Sequence, residues 1–303
     1  MKQILHTLEC VATEKSGRLE YRAQERRRLL WCMILTALFM FVEFFGGLWT
    51  NSLALISDSA HMFSDLFALG VSTIAIRLAA READKIRSFG FYRTEILAAL
   101  FNGLLLTLIV IWITYDAIHR FLNPSPIATQ QMLLIAAVGL IVNVGCALLL
   151  KETHQHDLNM KSAFLHMIGD TVSSIGIIAA GVLIIFTGKF WFDPLASILI
   201  AVLIFAGSFR LIREAIHILL ESTPKHLSEE EILRTIKREI PEIHNIHHVH
   251  MWELTSKLCT LTAHVEIEDI KISDSEVLRK KINLLLKEHF HITHTNLQFE
   301  CKK

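Results

Sequence analysis

The sequence lacks paired cysteines. Its five cysteines are scattered and include no CxxC pair; they are Cys10, Cys32, Cys146, Cys259 and Cys301. Disulfide frameworks and thiolate zinc sites show characteristic cysteine spacings, so neither is expected here. Residues 1–28 also lack an apolar segment followed by a small-residue cleavage site. They are therefore interpreted as a cytosolic N-terminal arm and not as a signal peptide.

Charge is scarce in the middle of the chain. Residues 31–220 contain 11 Lys and Arg and 12 Asp and Glu, whereas the much shorter segment 221–303 contains 12 and 14. The chain is 52% hydrophobic and has a mean hydropathy of +0.43, which is too apolar for an ordinary soluble domain. We therefore expect an arm (1–28), a membrane domain (29–220) and a soluble domain (221–303).

Six hydrophobic stretches are long enough to cross a lipid bilayer as helices, which requires about 20 residues each. Lys and Arg concentrate in the arm, in the loop after the second stretch and in the loop after the fourth. This bias predicts that both termini are cytosolic. The predicted spans are 29–49, 53–77, 94–118, 130–151, 162–187 and 191–213.

The second and fifth spans each carry a His and an Asp four residues apart: His61 with Asp65, and His166 with Asp170. Residues at this spacing lie on one face of a helix. Burying one ionisable group in hydrocarbon costs at least ~2.5–3.5 kcal/mol, so four of them need a partner. Two imidazoles and two carboxylates form a ligand set suited to Zn²⁺, whose two charges balance the carboxylates. Since these spans run in opposite directions, each His is expected to lie level with the Asp of the other.

Other polar residues also lie within the spans. Asp58, three residues before His61, is expected either to accept a hydrogen bond from the His61 ring or from water, or to cap the start of its helix. Glu43, Asn102 and Asn143 are predicted to form interhelical hydrogen bonds.

The loop between the fourth and fifth spans contains His154 and His156 beside Gln155 and Asp157. Such a pair could hold a metal ion briefly before passing it to the membrane site. A solvated loop without a metal role is the alternative, and the sequence leaves both open.

The soluble segment predicts the order helix, strand, strand, helix, strand, a small α/β domain of the ferredoxin-like type. Two Ser-x-x-Glu patterns, beginning at Ser228 and Ser273, predict capping boxes that open the two helices. Alternating β-branched residues predict the strands. The helices are expected near 229–239 and 274–289, and the strands at Asn245–Leu254, Leu258–Glu268 and Ile292–Glu300.

Histidine is concentrated in this segment, which holds nine of the 16. Such a density in a small domain favours one or two metal sites. His264 is expected to meet His247 or His250 across the hairpin.

Several motifs together resemble the cation diffusion facilitator family, and in particular its zinc-transporting branch. The similarity covers roughly residues 29–301. Its motifs are Asp58–Asp65, Phe89-Gly90 with Arg93–Ala99, Asp157–Asn159 leading to His166 and Asp170, His247–Trp252, Ala263–Val265 and His294-Thr295. The resemblance implies a homodimer with a transport domain (29–220), a cytosolic metal-binding and dimerisation domain (221–303), and exchange of metal for protons.

The sequence also departs from the family pattern. Arg87 and Phe91 stand where some members have histidines that hold a second zinc ion, and only Asp84 matches, so that loop site is expected to be absent. In the tail, His247, His264 and His294 match ligand positions. Asn296, however, replaces a bridging Asp of some members.

The sequence as a whole therefore predicts a transporter and not an enzyme. We expect a bacterial inner-membrane Zn²⁺/H⁺ antiporter that exports zinc, with Cd²⁺, Co²⁺ and Ni²⁺ as further candidate ions. Zn²⁺ is both the substrate and a regulatory ligand, and no nucleic-acid partner is expected. The predicted ligands are His61, Asp65, His166 and Asp170, supported by Asp58, with His247, His250, His264 and His294 in the cytosolic domain.

Two alternatives belong to other classes. A metal sensor or scaffold would bind the ion without moving it. An electron carrier with transmembrane histidines on haem is disfavoured, because haem ligation has no use for an Asp one turn from each His.

Overall fold

A computed structural model of the chain describes residues 27–81, 83–151, 158–255 and 258–301, with the backbone alone for 158–163. Most of the predicted arm and the loop residues His154–Asp157 lie outside these ranges. The chain divides into two compact units. One comprises the chain up to Phe67 with Leu105–Gly207, and the other comprises Ala68–Leu104 with Ser208–Lys303.

The described residues include six helices that are long and apolar enough to cross a membrane, which confirms the six-span prediction. Helix α5 begins at Leu158 and not at 162, and α6 ends at Leu219 and not at 213. The predicted spans were bounded by hydrophobicity, whereas helical hydrogen bonding continues into polar residues beyond the apolar segment. The helices are α1 (Arg27–Thr50), α2 (Leu53–Ala79), α3 (Arg93–Leu122), α4 (Thr129–Lys151), α5 (Leu158–Thr187) and α6 (Phe192–Leu219).

The start of α2 is capped by a residue from α6. The backbone N–H groups of Leu53 and Ala54 donate to the Asp193 carboxylate at 2.8 and 3.3 Å, and Ser52 Oγ donates to the same carboxylate. A helix N-terminus leaves several N–H groups without partners, and an anion is stabilised there. Asp193 is fully buried, so it satisfies these donors where water does not reach. This contact fixes the start of the helix that carries His61 and Asp65.

The tail follows the predicted order: α7 (Glu229–Glu239), β1 (Ile243–Thr255), β2 (Leu258–Ile267), α8 (Ile272–Phe290) and β3 (Ile292–Cys301). The sheet order is β1-β2-β3, with β1 and β2 antiparallel and β2 and β3 parallel. α8 makes the crossover that a parallel pair requires. One apolar cluster from both helices and all three strands forms the core. The fold class is thus confirmed.

One predicted cap is present and the other is wrong. Ser228 caps α7, and its hydroxyl accepts a hydrogen bond from the Glu231 N–H at 3.4 Å. Helix α8 instead begins at Ile272 after Lys271, with no side-chain cap, so Ser273 lies inside the first turn. Glu276 pairs with Arg279 and does not reach back to the helix start.

The tail core gives a direct test of this packing. Leu286 of α8 is fully buried, whereas Leu284 on the same helix is 57% exposed. We expect Leu286→Ala to lower the free energy of unfolding of the tail by ~2–5 kcal/mol, because truncation leaves a cavity. Leu284→Ala should cost about 0.5 kcal/mol or less. Hydrogen exchange of the tail amides in the full-length protein measures both, and equal losses would contradict the packing.

Candidate metal centre

The four intramembrane residues predicted as ligands converge in the structure. His61 Nε2 lies 3.7 Å from Asp65 Oδ2 on α2, and His166 Nε2 lies 3.6 Å from Asp170 Oδ2 on α5. The two helices are linked through Asp65, whose Oδ2 also lies 3.3 Å from His166 Nε2. Bonds of ~2.0–2.1 Å to a tetrahedral zinc ion place ligand atoms roughly 3.3 Å apart. The three observed distances between histidine nitrogens and carboxylate oxygens are close to this value.

Several atoms at this centre have no hydrogen-bond partner among the described residues. In that part of the chain, Asp65 Oδ2 and Asp170 Oδ2 are both buried and unpartnered, as is His61 Nδ1. Buried polar atoms are nearly always satisfied in proteins, because leaving them unpaired is costly. A divalent cation between the two carboxylates would satisfy both oxygens. The side chain of Asp170 is buried, whereas those of Asp65 and both histidines are partly exposed, so the described residues do not fully enclose the centre.

Asp58 links the same two helices one turn away from the ligands. It is buried and accepts a hydrogen bond from Ser173 Oγ of α5 at 2.6 Å. Asp58 does not accept a hydrogen bond from His61, whose Nδ1 has no partner among the described residues. Asp58 does not cap its helix either, because α2 begins five positions earlier, at Leu53. A role for Asp58 in positioning His61 therefore stays a prediction. The Asp58–Ser173 bond itself fixes α2 against α5.

Two further polar residues behave differently from each other. Asn143 of α4 donates to Ser174 Oγ of α5 at 3.2 Å, as predicted for an interhelical bond. Glu43 of α1 is fully buried, yet neither of its carboxylate oxygens has a hydrogen-bond partner in the described part of the chain, so the same prediction is wrong for Glu43.

A second cluster lies on the sheet of the tail. His247 and His264 are paired across β1 and β2, with ring centroids 5.4 Å apart. Glu300 of β3 completes the group: its Oε1 lies 2.7 Å from His264 Nδ1 and its Oε2 lies 3.5 Å from His247 Nε2. The sequence analysis missed Glu300. The alternating residues of β3 indicate which face of the sheet Glu300 lies on. They do not indicate how β3 aligns with β2, and it is this alignment that places Glu300 beside Glu266.

Two of the predicted tail ligands are not brought to this cluster in the described chain. His294 pairs with Thr260, whereas His264 pairs with Gln298. That separation of four residues corresponds to about 13 Å along a strand. His250 pairs with Thr262 beyond a register shift at His247–His250, where His248 has a φ of 54°. The irregular backbone breaks the alternation on which the prediction for His250 relied.

Comparison with known proteins agrees with both parts of this arrangement. The family model for the cation efflux transmembrane domain matches residues 29–220. The model for the cytoplasmic domain of cation efflux proteins, which is named as a dimer domain, matches residues 224–302. The chain belongs to the cation efflux family. It is thus an integral membrane protein of a transporter family, with a cytoplasmic domain of a type associated with dimerisation.

Individual relatives of this cation efflux protein cover nearly the whole chain. The cadmium, cobalt and zinc/H(+)-K(+) antiporter of Bacillus subtilis is 43% identical over 91% of this chain and 89% of its own. The zinc transporter ZitB of Pectobacterium atrosepticum is 39% identical over 91% and 86%. A solved structure, the metal-bound C-terminal domain of the CzcD transporter from Cuprividus metallidurans, covers 24% of this chain and 99% of its own at 32% identity, with a TM-score of 0.22.

In this cation efflux protein, contacts within the loop after α2 engage Asp84, the one acid there that matches the family pattern. The Asp84 carboxylate accepts hydrogen bonds from the Arg87 and Ile86 N–H groups, at 2.5 and 2.9 Å, and pairs with the Arg87 guanidinium at 3.1 Å. The Arg87 backbone bond, with these further contacts, holds the pKa of Asp84 below its usual range. The Arg87 guanidinium also lies 4.6 Å from the centre of the Phe91 ring. Absence of a metal site in this loop stays a prediction.

The geometry singles out His166 for mutation, because it approaches both carboxylates. Loss of a residue that only hydrogen-bonds to a metal ligand typically weakens metal binding by ~10–100-fold. Because His166 is itself a proposed ligand, we expect His166→Ala to weaken Zn²⁺ binding at the membrane centre by more than ~100-fold. Calorimetric titration of the full-length protein measures this, with the tail cluster disabled by His264→Ala in all samples. His119→Ala on the exposed face of α3 is the matched control. Unchanged affinity in the His166 variant would contradict the ligand assignment.

Proposed function

We propose that this protein exports Zn²⁺ from the cytosol in exchange for protons, through a site formed by His61, Asp65, His166 and Asp170. The observation that carries the proposal is their convergence between two membrane helices, where three His–Asp contacts measure 3.3 to 3.7 Å. The names of relatives, a zinc transporter and a cadmium, cobalt and zinc antiporter, support this assignment. Cd²⁺, Co²⁺ and Ni²⁺ are further candidate ions for the same ligands.

Charge balance explains why protons are the counter-ion. A histidine ligates a metal only through a neutral nitrogen, so Zn²⁺ and H⁺ compete for His61 and His166. Two carboxylates with one Zn²⁺ carry the same net charge as two carboxylates with two imidazolium ions. Both loaded states are therefore near neutral, which limits the cost of a charged group in a low-dielectric environment. An unperturbed imidazole titrates near pH ~6.5, within reach of the pH on either side of a membrane.

Transport requires that the site open alternately to the two sides of the membrane. We assign this task to the transmembrane domain (29–220), with both termini in the cytosol, as the Lys and Arg distribution favours. The related proteins are bacterial, which supports the bacterial cytoplasmic membrane as the location. Lipid is then the solvent of the six helices.

The tail (221–303) is proposed to pair two subunits and to sense cytosolic zinc. The His247, His264 and Glu300 cluster supports this role, because two imidazoles and a carboxylate provide three ligands on one face of the sheet. Zinc bound there acts as a regulatory ligand and lies outside the transport route. The homodimer is the expected unit of regulation.

Zinc flux into vesicles containing the purified protein tests the transport proposal. An imposed pH gradient should accelerate wild-type flux, and Asp170→Ala or His61→Ala should abolish it, since each removes one of four ligands. His119→Ala should transport normally. Zinc binding without flux would instead favour a sensor or scaffold, and flux indifferent to the gradient would contradict antiport.

Glu300→Gln tests the regulatory role of the tail. We expect a several-fold rise in the zinc concentration for half-maximal flux with an unchanged maximal rate, because the tail cluster loses a charged ligand. Glu268→Gln is a matched control, since Glu268 pairs with His244 at 2.8 Å outside the cluster. An identical response of both variants would show that the cluster has no regulatory role.

A further inference from the structure

A third group of metal-ligating side chains lies near the turn of the tail hairpin. Glu253 of β1 and Cys259 of β2 are cross-strand partners next to the β1–β2 turn. His226 approaches them from the segment between α6 and α7. Glu253 and Cys259 belong to one hairpin but His226 lies outside it, so no spacing in the sequence predicts that the three meet.

The group is centred on one carboxylate oxygen. Glu253 Oε1 lies 3.7 Å from His226 Nδ1 and 4.0 Å from Cys259 Sγ. One ligand atom from each residue lies within 4.8 Å of those of the other two. A tetrahedral ion with Zn–S of ~2.3 Å and Zn–N of ~2.0–2.1 Å places its ligands roughly 3.3–3.6 Å apart. A small adjustment of the Glu253 side chain, together with a shift of His226 toward the other two residues, would reach that spacing.

The side chains of the group differ in solvent exposure, and His226, the most exposed, is free to shift. Cys259 is only 5% exposed and the Glu253 side chain only 14%, whereas the His226 side chain is 60% exposed. The buried thiol and the partly buried carboxylate lie on adjacent strands of the hairpin. The imidazole lies on the solvent side and can close over an incoming ion.

We propose that His226, Glu253 and Cys259 form a cytosolic site for a thiophilic divalent cation, Zn²⁺ or Cd²⁺, with water as the fourth ligand. Imidazole, carboxylate and thiolate are all ligands of zinc, and the sulfur favours softer ions over Mg²⁺ or Mn²⁺. On binding, a metal–sulfur bond forms, the S–H bond breaks and its proton passes to water. The ion thereby replaces the weak hydrogen bond that the thiol donates to Glu253.

Without a metal ion, the Cys259 side chain is a protonated thiol. Burial, with a smaller contribution from the Glu253 charge, raises the pKa of Cys259 to about 11. Such a thiol is a poor nucleophile and resists oxidation, since the thiolate is the reactive form.

This site is separate from the other clusters. Five positions on β2 divide Cys259 from His264, which is about 16 Å along a strand. Its consequence also differs, because a metal ion would fasten the segment that follows α6 to the hairpin. The site goes beyond the proposed function, since it requires neither transport nor the intramembrane ligands.

Cobalt provides a specific probe, because the other two clusters hold only nitrogen and oxygen ligands. The full-length protein is titrated with Co²⁺, and the near-ultraviolet band from thiolate-to-cobalt charge transfer is recorded. We expect the band in the wild type and in Cys10→Ser, Cys301→Ser and His166→Ala. It should be lost in Cys259→Ser and reduced at least several-fold in His226→Ala.

Two variants keep the test decisive. His226 is exposed, so its replacement leaves the fold intact even if Cys259→Ser does not. A band that persists in Cys259→Ser, a wild type without the band, or a band of full strength in His226→Ala would each overturn the proposal.

Discussion

The structure depends on one electrostatic constraint: two carboxylates and two imidazoles meet between membrane helices, where their charges need to be neutralised. Asp65 and Asp170 offer oxygens without hydrogen-bond partners among the described residues, and His166 lies between them. A cation or protons can balance such a group at low energetic cost. In the proposed function, metal binding and exchange for protons both follow from this requirement.

Hydrogen bonds from surrounding residues position the helices that carry the ligands. Asp193 caps the helix that carries His61, and the Asp58–Ser173 bond ties that helix to the one that carries His166. Asn143 connects a further helix to the same region through Ser174. These contacts are side-chain hydrogen bonds between buried groups, which are costly to leave unmade. They hold the helices together around a site whose side chains, except that of Asp170, are partly exposed.

Local patterns in the sequence predicted what depends on local geometry. The i, i+4 pairs, the six spans and the order of the tail elements need only helix periodicity and hydrophobicity. The Ser228 cap follows from the same kind of signal, although the Ser273 pattern failed because the chain becomes helical two residues earlier. Contacts between distant segments were not predictable. The contacts made by Asp193, by Glu300 and by the His226–Cys259 group depend on how the helices and strands pack. The position of His250 depends on a strand irregularity that no residue pattern predicts.

Counting the protons released when zinc binds tests the neutralisation constraint most directly. Calorimetry of the purified protein in buffers of different ionisation enthalpy gives this number, with His264→Ala and Cys259→Ser removing the tail ligands. The account predicts that protons leave as zinc arrives, with more released as the pH falls through the imidazole range, and that His61→Ala diminishes the release. Zinc binding to the membrane centre with no proton released at any pH would contradict it.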